Sequence, residues 1–176
     1  MKLTWFGGTT VRIHVGGAIL VGDAKGAPAR IDRTELVSGA DRVFALDGAD
    51  LPVADGASWK PRRQARLLDE GEVLPEVLLW SVTGGVLVDA IGEAPLLLAS
   101  DDLGELGRWA DGAVVVLFGD GAALSARGQA VLDARTPKVI ALAAGEDDVD
   151  IAIAALRDRL DGTGLFSLEP GMALEI

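Results

Sequence analysis

Leu96-Leu97-Leu98-Ala99-Ser100-Asp101-Asp102 decides how the rest of the chain is read. A short apolar run bounded by Pro95 on one side and by two carboxylates on the other has the composition of a buried strand, and α/β folds place reactive groups at the ends of such strands. Just upstream, Val86-Leu87-Val88-Asp89-Ala90-Ile91 is a second strand, joined to the first by Gly92-Glu93-Ala94, a loop of hairpin length that contains a glycine. Just downstream, Leu103, Leu106 and Trp109 or Ala110 recur at helical spacing, and Asp102 stands three residues before Glu105. That spacing is close to a capping box, so a helix is expected from Leu103 with the aspartates as its caps.

Further downstream the rhythm is strand, helix, strand, helix. Ala113 to Phe118 is a strongly β-branched strand, and Gly119-Asp120-Gly121 after it reads as a turn, since neither a dinucleotide-binding nor a Walker pattern follows. Leu124, Gly128, Val131 and Leu132 mark a short helix that must end before Pro137. Val139 to Ala143 is another strand. Val149, Ile153, Leu156 and Leu160 then share one helical face, with Asp147, Asp148 and Asp150 at the acidic start and Arg157 and Arg159 at the basic end, which suits the helix macrodipole. Gly171 to Ile176 alternates as a closing strand.

Upstream, residues 1 to 22 read as a meander of three strands. Leu3 and Trp5, then Val11, Ile13 and Val15, alternate with polar residues, and Gly7-Gly8 and Gly16-Gly17 supply the turns. His14, the single histidine, falls on the polar face opposite Val11, Ile13 and Val15. Asp23 to Glu35 reads as a polar loop. Asp41 to Asp47 is a further buried strand that runs into the turn Asp47-Gly48-Ala49-Asp50-Leu51-Pro52. The stretch from Lys60 to Arg66 is the one dense basic cluster, a solvated loop or an anion contact, and Trp59 beside it reads as exposed and open to an oligomer interface.

The 176 residues suit a single domain, and 49% hydrophobic with 24% charged residues gives an ordinary globular chain with material for a core. The formal net charge of -11 argues against a nucleic-acid partner, whose phosphates need lysine and arginine. No run reaches the roughly 18 apolar residues of a membrane span, and the start of the chain lacks the apolar stretch of a signal peptide, so no membrane partner and a cytoplasmic location are expected. The absence of cysteine excludes thiolate metal sites and Cys-His catalysis, and a Ser-His-Asp triad could use only His14. There is no Gly-x-Ser-x-Gly elbow.

Met1-Lys2-Leu3-Thr4-Trp5-Phe6-Gly7-Gly8, the glycine-turned hairpin ending Ile19-Leu20-Val21-Gly22-Asp23, the hairpin from Val86 to Asp102 and the turn Leu168-Glu169-Pro170-Gly171 before the last strand together resemble the metallo-β-lactamase superfamily. The nearest likeness is to its ascorbate-lactonase-like hydrolases. The resemblance implies an α/β (α+β) fold, a four-layer αββα sandwich of mixed sheets with helices on the outer faces, formed by residues 1–176 as one domain. It also implies one or two metals held by a His-x-His-x-Asp-His motif, later histidines and a bridging aspartate. Here the motif's place holds Asp47-Gly48-Ala49-Asp50-Leu51-Pro52, the later histidines fall near Trp80 or Ser81 and near Ala144, and Asp101 alone stands for the bridging carboxylate.

Zinc needs three or four N, S or O donors, and no cofactor is expected from this set. The sequence therefore points to a superfamily member that has lost its metal centre and serves in binding or assembly, with an unidentified small molecule or protein as partner and a homo-oligomer as a further option. The alternative is a metal-dependent hydrolase rebuilt on carboxylates, with Asp47, Asp50, Asp101 and Asp102 holding Mg²⁺ or Mn²⁺.

Overall fold

The structure, a computed structural model, describes residues 1–62 and 77–176. Arg63 and Arg66 of the basic stretch lie outside the described residues.

The chain opens as the expected meander, β1 (Lys2–Gly7), β2 (Thr10–Val15) and β3 (Ala18–Gly22), each antiparallel to the next. The expected loop from Asp23 is more ordered than its composition suggests. It holds a 3₁₀ turn at Ala24–Gly26 and a short helix α1 (Arg33–Val37), capped by the Asp32 carboxylate, which accepts from the Thr34 and Glu35 amides. The next strand is shorter than expected: β4 (Arg42–Phe44) pairs parallel with β3 and buries only Phe44. After the undescribed stretch come β5 (Val77–Val82), β6 (Gly85–Ala90) and β7 (Leu96–Ala99), antiparallel in turn. The chain then alternates through β8 (Val114–Phe118), α2 (Gly121–Ala134), β9 (Val139–Ala143), α3 (Glu146–Leu156) and β10 (Gly164–Ser167). It closes with β11 (Ala173–Glu175), antiparallel to β1.

These strands form two mixed sheets, β11-β1-β2-β3-β4 and β10-β9-β8-β7-β6-β5. Side-chain parity assigns the layers. Leu3, Trp5, Val11 and Ile13 of the first sheet meet Val86, Leu96, Leu98 and Val116 of the second in one core between the sheets. The intervening residues Leu87, Leu97, Val115, Leu117 and Ile140 point the other way, onto Leu124 and Val131 of α2 and Val149 and Leu156 of α3. The outer face of the first sheet carries a smaller cluster, in which Val21 packs on Ala24, Ala27 and Leu36. This is the four-layer arrangement, with one helical layer reduced to a 3₁₀ turn and α1. Strands buried on both faces read as continuous apolar runs, and a fully buried Leu or Val contributes about 1.5–3 kcal/mol, so the second sheet is the scaffold of the molecule.

Two expectations near β7 are corrected. No helix starts at Leu103: residues 102 to 107 are irregular, and only a 3₁₀ turn forms at Arg108–Ala110. Gly107 donates to the Gly56 carbonyl at 2.9 Å, and a Cβ at Gly107 would lie 2.4 Å from the Ala57 carbonyl, so contact with the 56–57 loop replaces the helix. Asp101 and Asp102 therefore cap nothing of the kind. Trp59, expected to be exposed, is half-buried and meets Trp109 edge to face, with ring centroids 5.4 Å apart.

Candidate functional site

Because β7, β8 and β9 run parallel, their C-terminal ends open on one side of the sandwich, where open α/β sheets present ligands. Two sites compete for attention there.

The first is the end of β7. Ser100 and Asp101 each donate a backbone N–H to the Gly84 carbonyl at 3.0 Å. Gly84 has φ +83, and a Cβ there would lie 2.4 Å from the Asp102 carbonyl, so only glycine allows the β5–β6 turn to close beneath these residues. The Asp101 carboxylate accepts from the Asp102 amide at 2.8 Å. Arg127 of α2 donates to the Phe118 carbonyl and stands 3.9 Å from Asp101 and 3.8 Å from Asp102. Its Nε is buried without a hydrogen bond, while the two carboxylates are 84% and 95% exposed. Pairs so solvated interact weakly.

Asp47 is exposed and accepts from the Ala49 amide at 3.0 Å, an Asx turn; Asp50 is exposed as well. Asp101 and Asp102 thus share Arg127. Among the described residues no three or more His, Asp or Glu side chains form a group able to hold a metal ion, so Asp47 and Asp50 do not join them in one. His14 is exposed on β2, as its parity predicts. Of the basic stretch, Arg62 does find an anion, within the protein: its Nε donates to buried Asp89 of β6 at 2.6 Å. Asp55, on the exposed 55–58 turn, has its carboxyl held below the usual range, first by the Ser58 hydroxyl and then by the Ala57 amide.

The second site is a cleft of about 550 Å³ between the sheets, at the ends of β8 and β9. Gly119, Ala143, Ala144 and Gly145 form one wall. The β1–β2 turn, Gly7-Gly8-Thr9, forms the other with Pro28, Arg30 and Pro170, and Trp5 lies at the base. Each part is held by the fold. The Trp5 indole donates to the Gly8 carbonyl at 2.9 Å, and the Gly171 amide donates to the Trp5 carbonyl at 2.7 Å. Gly7, at φ +117, lets Pro28 approach: a Cβ there would lie 2.8 Å from the proline ring. Asp23, in the left-handed region at φ 48, spends both carboxylate oxygens on the chain itself, accepting from Thr9 Oγ1 at 2.7 Å and from the Leu46 amide at 3.0 Å. The aspartate that ends the hairpin is therefore a clamp between the β1–β2 turn, the end of β3 and the chain after β4.

Among the described residues, no side chain lining this cleft is a carboxylate, an imidazole or a thiolate, and Arg30 is the one charged group there. The donor set does not fit a zinc ion, which takes N, S and O ligands at about 2.0–2.3 Å. The sequence reading missed the cleft because its signal is small side chains, glycine and alanine at strand ends, where a search for reactive groups sees nothing.

No known protein-family model matches the chain, and no curated protein matches it in sequence. Solved structures similar to it include a variant of the CmlA β-hydroxylase, at 13% identity and TM-score 0.51 over 99% of this chain and 54% of that one. The chain thus spans about half the length of that enzyme. Igni18, a metallo hydrolase from the hyperthermophilic archaeon Ignicoccus hospitalis, is similar at 12% identity and TM-score 0.47, over 99% of this chain and 98% of that one. Likeness at these identities concerns architecture alone. The two mixed sheets packed face to face, with helices on the outer sides, make a sandwich of metallo-β-lactamase-like architecture. Among the described residues, no helix is long and apolar enough to cross a membrane.

Proposed function

We propose that this protein is a degenerate metallo-β-lactamase-fold protein, related to the ascorbate-lactonase-like hydrolases, that has lost its His-rich metal centre and acts by binding rather than by catalysis. The observation that carries the reading is the composition of the cleft at the ends of β8 and β9. Where the resemblance places one of the later histidines, Ala144 lines it, and its other walls are glycine, alanine, proline, threonine and tryptophan around one arginine. At the position of the family's ligand motif, Leu51 is buried in the core between the sheets and Ala49 and Pro52 carry no donor. A cleft of this size and largely apolar lining falls within the roughly 300–1,000 Å³ of small-molecule sites. The occupant of this cleft is then a small molecule held largely by shape, with Arg30 the charged side chain in the cleft wall.

Elemental analysis of the chain purified without chelator tests this, paired with thermal unfolding in Zn²⁺, Mn²⁺, Mg²⁺ and EDTA. The expected result is far below one equivalent of any metal and no shift in the midpoint with metal or chelator. About one equivalent of metal, with a loss of stability in EDTA, overturns the reading. If that metal is Mg²⁺ or Mn²⁺ and Asp101→Asn releases it, the rebuilt carboxylate site takes its place.

A further inference from the structure

The cleft does not end at Pro170. Trp5, Ala144, Gly145 and Pro170 also line a second lobe of about 520 Å³ that runs along α3. Its apolar lining is Val149, Ile153 and Leu168, and its charged groups are Glu146, Asp150 and Glu169. All three carboxylates are exposed, and none has an ion-pair partner among the described residues. In the first lobe, Arg30 has no carboxylate partner among them either; its guanidinium donates a 3.3 Å hydrogen bond to the Phe6 carbonyl. The two lobes adjoin along Trp5, Ala144, Gly145 and Pro170, and together they form a trough with a cation in one lobe and three carboxylates in the other.

We propose that this trough binds a short peptide with free termini, its carboxylate on Arg30, its apolar middle against Trp5, Ala144 and Pro170, and its ammonium among Glu146, Asp150 and Glu169. The proposal rests on the binding reading above and names the ligand class for that cleft. Both ends of the trough argue for it. A polyanion placed on Arg30 would run into the three carboxylates, and a polycation attracted by them would run onto Arg30. An occupant with opposite charges separated by an apolar middle meets both ends, and like-charge placement is what such a trough selects against.

The probe is the tripeptide Ala-Leu-Ala with free termini, alongside its N-acetylated and its C-amidated forms, titrated into the full chain and followed by amide NMR and calorimetry. The free tripeptide is expected to move the amide signals of Gly8, Ala144 and Gly145. Each cap is expected to weaken binding by about fivefold, the upper range for an exposed ion pair. Arg30→Gln abolishes the penalty for C-amidation and leaves the penalty for N-acetylation, whereas Asp150→Asn combined with Glu169→Gln, which leaves Glu146 alone, lowers the penalty for N-acetylation and leaves that for C-amidation. These side chains are exposed, and signal dispersion in the same spectra confirms that the variants fold. Capped and free peptides binding alike, or unmoved cleft amides at millimolar peptide, overturns the proposal. Metal content measured on the same sample separates the two readings. Stoichiometric metal sinks the binding-protein reading whatever the peptide does, and metal-free protein that ignores the peptide sinks only the ligand class.

Discussion

The ends of β7 and β9 lie on the same side of one sheet, with β8 between them, and they are built in opposite ways. After β7 come Ser100, Asp101 and Asp102, polar and conspicuous, yet that end is closed: the Gly84 turn lies beneath it and Arg127 reaches it from α2. After β9 come Ala144 and Gly145, chemically silent, and that end opens into the cleft. Charge at a strand end therefore does not make a site. Carboxylates become reactive when several converge in a poorly solvated place, and Asp101 and Asp102 are almost fully solvated. A cleft, by contrast, forms where side chains are too small to fill the gap between two sheets.

Three substitutions sharpen the contrast. Gly84→Ala should do the most damage, because it forces a side chain into φ +83 and against the Asp102 carbonyl. We expect a loss of about 3 kcal/mol in urea unfolding. A loss below about 0.5 kcal/mol would mean that the closed end is not held by that turn. Arg127→Met keeps the aliphatic stem but removes the bond to the Phe118 carbonyl, for an expected cost of ~1 kcal/mol. Most of that cost should survive in high salt, since the exposed aspartates contribute little to it; a cost that salt abolishes would reassign it to Asp101 and Asp102. Gly145→Ser belongs to the open end. Gly145 is the N-cap of α3, has extended backbone and offers no side-chain cap, and a Cβ there meets nothing nearer than Asp148 at 4.0 Å. A gain of only a few tenths of a kcal/mol is expected in the same unfolding experiment. A loss instead would show that the open end is packed more tightly than its lining suggests.

Much of the second sheet was legible because strands buried on both faces need apolar residues at every position, and Leu96 to Ala99, Val114 to Phe118 and Val139 to Ala143 supply them. The start of α2 was not: Gly119-Asp120-Gly121 looked like a turn, while Asp120 is in fact the N-cap, accepting from the Ala123 amide at 2.9 Å, and Asp148 of α3 accepts from Gly121 at 2.8 Å. β10 was missed because Gly164-Leu165-Phe166-Ser167 is short and is a strand only by pairing parallel with β9. The helix expected at Leu103 had the right spacing and the wrong neighbours, since Gly104 and Gly107 favour close backbone contact over helical hydrogen bonds.

The residues by themselves determined the meander, the buried parallel strands, the amphipathic α3 and the absence of thiolates and of all but one imidazole, because periodicity and composition are local properties. Tertiary structure alone decided that Asp101 and Asp102 stand beside Arg127, that Asp23 is a clamp, that Arg62 answers Asp89, and that two clefts meet along Trp5, Ala144, Gly145 and Pro170. The reason is physical. Each of these depends on distances between residues far apart in the chain, and those distances exist only once the two sheets have packed.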